Sequence, residues 1–109
     1  MSQRYKLIVN VPLTHADAVR EAMAAAGAGH YGAYSHCSFS LRGVGRFMPG
    51  ADSHPFLGER GKLEIVEEEQ IQVDVQHENM KAVLAAMKAA HPYEVIGHEI
   101  HQLVDEGIF

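Results

Sequence analysis

The stretch I-Q-V-D-V-Q from Ile71 to Gln76, followed by H-E-N-M-K-A-V-L-A-A-M-K-A-A-H-P from His77 to Pro92, changes its apolar period part-way. Ile71, Val73 and Val75 alternate with Gln72, Asp74 and Gln76, the two-residue period of a strand with one buried face. Met80, Val83, Leu84 and Met87 then recur at helical spacing. Lys88 and His91 suit the negative end of a helix dipole, and Pro92 forbids continuation. The strand can be extended back to Leu63 and Ile65, which places Glu67 and Glu69 on its inward face. Either the ladder breaks near Val66 or the hairpin projects beyond the helices into water, and projection is the reading adopted.

The first part of the chain repeats this strand-then-helix order. Tyr5, Leu7, Val9 and Val11 alternate with Lys6, Ile8, Asn10 and Pro12, and Pro12 ends the strand. Thr14 is expected to cap a helix with Asp17 at its third position. Val19, Ala22, Met23 and Ala26 form the apolar face, and Gly27 and Gly29 stop it. From Tyr34 the period returns to two, with Cys37, Phe39 and Leu41 on one face and His36, Ser38 and Ser40 on the other, wet face. Residues 43–61 hold five glycines and two prolines and are expected to form a long loop. Val95, Ile96, Ile100 and Leu103 predict a last strand. The order is βαββαβ, an α+β fold: a ferredoxin-like sandwich of one four-stranded antiparallel sheet with two helices on one face.

Composition narrows the function. The chain has 109 residues, 47% hydrophobic and 21% charged, the proportions of a single globular domain spanning 1–109 with a radius of gyration of about 13 Å. Nine Lys and Arg against fourteen Asp and Glu give a net charge of −5, which opposes nucleic-acid binding. One cysteine cannot form an internal disulfide, no apolar run approaches the length of a membrane span, and no signal peptide opens the chain, so a cytoplasmic location with no membrane partner is expected. Two helices cover only one sheet face, so a homo-oligomer is expected.

Two stretches carry a family resemblance. G-A-Y-S-H-C-S-F-S-L-R-G-V-G-R-F-M-P-G from Gly32 to Gly50, continuing as H-P-F-L-G-E-R-G-K-L-E-I-V-E-E-E from His54 to Glu69, and H-P-Y-E from His91 to Glu94, resemble the domain inserted into YqfO-type members of the Nif-three-like family. Val95 stands where the family commonly has a second Glu, and His98 and His101 where it more often has Tyr. The resemblance implies a PII-like or CutA-like fold, here as a standalone module, with a trimer favoured. It also implies that the family's dinuclear metal site, and labels of the GTP cyclohydrolase kind, belong to flanking domains that this chain lacks. A non-catalytic module binding a small-molecule effector or a partner protein is therefore expected, with no certain cofactor.

The alternative is a copper- or zinc-binding protein of the CutA kind, suggested by eight histidines. Its candidate ligands are His36, Cys37, His91 and Glu94. Strand parity opposes a site within one subunit, because His36 and Cys37 are neighbours and should diverge, as should His98 and His101. Cys37 itself is read as a small buried hydrophobe, and the histidines are expected to make the protein sensitive to pH between about 6 and 7. In the 43–61 loop, Gly43, Gly45, Arg46 and Phe47 are the candidate ligand residues, since backbone N–H groups and a guanidinium could wrap an anion. The competing reading is that Phe47, Pro49, Pro55 and Phe56 pin the loop against a neighbouring subunit. Glu67 to Glu69 read as the solvated hairpin tip, and Tyr93 as an interface anchor.

Overall fold

Alternation decides the core. In the computed structural model, which describes residues 3–109, the chain forms β1 (Arg4–Pro12), a 3-10 turn (Leu13–His15), α1 (Ala16–Ala25), β2 (Phe39–Phe47), β3 (Glu64–Gln76), α2 (His77–Ala90), β4 (His98–Gln102) and a last 3-10 turn (Glu106–Ile108). The sheet order is β2-β3-β1-β4 and every pairing is antiparallel. This is the expected ferredoxin-like sandwich. Leu7, Val9 and Val11 of β1 stand opposite Val73, Ile71 and Glu69 of β3, and the apolar residues of this face meet Val19 and Met23 of α1 and Val83 and Met87 of α2. All of these apolar side chains are buried.

Helix α1 ends in a double bond: the Ala28 N–H donates to the Met23 carbonyl (3.0 Å) and the Gly27 N–H to the Ala24 carbonyl (3.1 Å). That is a Schellman stop, and it buries Ala28 near Met23 in the same core. Its start differs from expectation. Thr14 lies in the 3-10 turn, so His15 occupies the cap position, and no side chain caps the helix. Asp17 instead pairs with Arg20 at 2.6 Å.

The loop boundary needs correction. Residues 43–47, including Gly43, Gly45, Arg46 and Phe47, are not loop but the second half of β2, laddered opposite Glu68 to Glu64 of β3. Glycine weakens a strand without forbidding it, and here the long partner strand supplies the register. The connection is therefore 48–63. β3 runs unbroken for 13 residues, so the hairpin does project, and the molecule is elongated, 49 × 27 × 24 Å, with a radius of gyration of 15.3 Å. Cys37 precedes β2 and is only half-buried, with its N–H donating to the Gly29 carbonyl at 3.0 Å.

The faces of β2 are also reversed relative to expectation. Ser40 pairs with Ile71 and so faces the helices, where its hydroxyl accepts from Arg20 at 3.0 Å. Phe39 and Leu41 pair with Gln72 and Gln70 and face the uncovered side, 62% and 47% exposed. The wet face of the strand is the one without polar residues.

Candidate functional site

Where the hairpin leaves the sheet, the segment after α2 turns back across the uncovered face. His91 fixes that turn. Its ring is buried; the Tyr93 N–H donates to Nδ1 (3.1 Å), so Nε2 carries the proton and donates to the Asn10 carbonyl (2.7 Å). This double bond holds Tyr93 so that its hydroxyl donates to Glu68 Oε2 at 2.8 Å. The Tyr93 ring also stands 4.9 Å from that of His91 and 5.9 Å from that of Phe47. Burial and then the Glu68 carboxylate push the Tyr93 phenol well above its ordinary range, so it remains a donor at all physiological pH.

Glu68 reaches Tyr93 because β2 has no side chain in its way. A Cβ at Gly45 would collide with the Glu68 carboxylate. This is the role the structure gives that glycine: it clears a path for a side chain of the opposite strand, rather than presenting its N–H to an anion. Arg46 is exposed on the other side of β2, so it and Gly45 do not converge.

Around this pair lies a cleft of about 360 Å3, lined by Asn10, Phe47, Pro49, Pro55, Phe56 and Leu57 together with Glu68, Tyr93, Glu94, Val95 and Gly97. The loop 48–63 forms its outer wall. Glu94 ties that wall down, its Oε2 accepting from the His54 N–H at 2.7 Å, while Phe56 packs edge-on against His15 at 5.3 Å. Gly61 N–H to the Pro49 carbonyl, 2.8 Å, closes the base of the loop. The result is an apolar concavity with a few oriented polar groups, the usual composition of a small-molecule site.

Of the residues singled out from sequence, the cleft unites Phe47, Pro49, Pro55, Phe56, Tyr93 and Glu94. It omits Gly43, Arg46, His36 and Cys37. His36 lies beyond α1, 3.6 Å from Glu21, at a φ of 61°. His91 is committed to Asn10 and Tyr93, and Glu94 to His54. Among the described residues no group of three or more His, Cys, Asp or Glu stands together as a metal set would. Glu68 sits in an acidic run that reads from sequence alone as a solvated tip, and the structure instead places it in the cleft. Parity held the signal: 67 and 69 share the helix face, and 68 alone points to the side where Gly43 and Gly45 leave room.

Burial holds the His91 pKa below its usual value, against the opposing pull of the Asn10 hydrogen bond. Because the folded-state value is depressed, the contribution of neutral His91 is fully present above about pH 6.5 and is lost as pH falls below it. A protonated Nδ1 could not accept from Tyr93 N–H. Thermal unfolding followed from pH 7.5 to 5 is thus expected to show falling stability, and His91→Gln to flatten that slope. An unchanged slope in the variant would assign the pH effect elsewhere.

Comparison with known proteins places this geometry. No protein-family model matches the chain. A protein of Halalkalibacterium halodurans named GTP cyclohydrolase 1 type 2 homolog is 48% identical over 103 residues, covering 94% of this chain and 28% of the relative. The crystal structure of a Bacillus cereus protein related to NIF3 superposes with a TM-score of 0.81 at 41% identity, over 95% of this chain and 26% of that one. This chain is similar to one segment of these longer proteins. It spans about a quarter of the length of these relatives, so the cyclohydrolase name belongs to proteins much longer than the segment described. The chain also shares its fold with CutA proteins: CutA1 of Shewanella superposes with a TM-score of 0.68 at 12% identity, covering 95% of this chain and 84% of that one. Among the described residues no helix is long and apolar enough to cross a membrane.

Proposed function

We propose that this chain is a non-catalytic module that binds a small ligand in the Tyr93–Glu68 cleft and assembles into a homo-oligomer, a trimer, through its uncovered sheet face. The observation that carries the reading is the orientation of β2. Phe39 and Leu41 stand exposed on the side that no helix covers, next to the cleft wall formed by Phe47. Apolar side chains aligned on a sheet face are the signature of a surface finished by another subunit. The cleft opens along the same face, sharing Asn10 and Glu68 with a shallower groove that runs past Leu41, Gly43 and Gln70. Ligand and assembly are therefore neighbours.

Light scattering on the purified chain is expected to give about three chains per particle, with Leu41→Glu shifting the population to monomers that stay folded by circular dichroism. A wild-type monomer at micromolar concentration would defeat the assembly.

A further inference from the structure

We propose that the cleft takes a small organic cation, an alkylammonium or guanidinium group carried on an apolar body. This deepens the ligand-binding reading above and rests on it. Two carboxylates, Glu68 and Glu94, line the cleft, and no Lys, Arg or His does. The hydrogen bonds that hold them come from neutral donors, the Tyr93 hydroxyl and the His54 N–H, and no ion pair engages either one among the described residues. Neutral donors orient a carboxylate without cancelling its charge. The cleft therefore presents two formal negative charges against walls of Phe47, Pro49, Pro55, Phe56, Leu57 and Val95.

Those walls favour the same sign. Phe47, Phe56 and Tyr93 line the cleft, and aromatic rings are partners for cations rather than anions. An anionic ligand would lose its hydration beside two uncompensated carboxylates. A metal ion is a poor fit, because the walls supply no imidazole or thiol, and hard divalent ions ask for six or more oxygens. At about 360 Å3 the cleft lies near the small end of ligand sites, which suits an amine with one ring or a short chain. Both poles are held in place, Glu68 by the Tyr93 hydroxyl over Gly45 and Glu94 by the His54 N–H.

The test uses three probes of one shape and different charge: 2-phenylethylammonium, 2-phenylethanol and 3-phenylpropionate, each titrated into the labelled full chain and followed by amide chemical shifts. The ammonium is expected to shift Phe47 and residues 93–97 saturably, about ten-fold more tightly than the alcohol, with the carboxylate weakest. Glu94→Gln and Glu68→Gln are each expected to weaken the ammonium roughly three- to ten-fold more than they weaken the alcohol. A glutamine at position 94 can still accept from the His54 N–H, so this variant keeps the loop wall, which the spectrum itself reports. If the alcohol or carboxylate binds as well as the ammonium, the charge selectivity is wrong while the cleft survives as a ligand site. If no probe moves those amides, the ligand-binding reading falls with it.

Discussion

Replacing Gly29 with alanine is expected to lower the melting temperature by roughly 10–20 °C. Gly29 sits at a φ of 76°, in the left-handed region, and a Cβ there would drive into the backbone of Cys37, oxygen and nitrogen both. The left-handed conformation alone costs an L residue about 1–2 kcal/mol. The collision adds to that because backbone, unlike a side-chain end, cannot step aside cheaply. Gly29 is also a splice point: its N–H donates to the Asp74 carbonyl at 2.8 Å and its carbonyl accepts from Cys37, so the segment between α1 and β2 is stitched to the sheet through it. Gly43→Ala makes the control, since Gly43 has open space around it and no positive φ. Melting curves that superpose for wild type and Gly29→Ala would show that this stitch does not hold the fold.

The second large effect concerns Arg4 and Asp74. Asp74 is only 6% exposed although it lies on the face away from the helices, and the Arg4 guanidinium grips both its oxygens, Nε at 3.2 Å and Nη2 at 2.5 Å. Burial alone would push the Asp74 carboxyl up; the hydrogen bonds from Arg4 and Tyr31 outweigh it and hold the pKa below the usual carboxylate range. Arg4→Met leaves a buried carboxylate without its cation. With about half of the Arg4 side chain in water, the loss should be about 2 kcal/mol, less than for a fully buried pair. The pH dependence identifies the cause. A depressed folded pKa contributes stability above about pH 3.9 that disappears as pH falls through the folded value. The gap between wild type and Arg4→Met in urea unfolding is therefore expected to narrow steadily as pH falls below about 4. A gap that does not narrow at all between pH 5 and pH 3 would mean that Arg4 acts by packing alone.

Much of the architecture was legible because period is a strong signal. Leu7, Val9 and Val11, then Val19 and Met23, then Val83 and Met87 were all placed on faces that proved to be buried. The β2 strand was harder to place. Its glycines read as loop, since composition reports local preference, whereas register is imposed by the long strand opposite. Its inner and outer faces were inverted for a related reason: apolar residues were assumed to point to this chain's own core, but Phe39 and Leu41 face the side without helices. The cleft was half visible. Its aromatic and proline walls stood out in the sequence, while Glu68 was hidden in a run of three acids whose members differ only by the side of the strand on which they fall.

The central position of β1 has a consequence during synthesis. Both of its neighbours, β3 and β4, lie later in the chain, and Gln76 comes 64 positions after Pro12. At ribosomal speeds of about 5–20 residues per second, K-L-I-V-N-V waits roughly 3–13 s with both hydrogen-bonding edges bare. Only α1 is made early enough to shelter it. The Schellman stop that lets α1 end cleanly and fold back thus also protects a sticky segment in the nascent chain, and damage to it should appear first as lost soluble yield, before any change in the finished molecule.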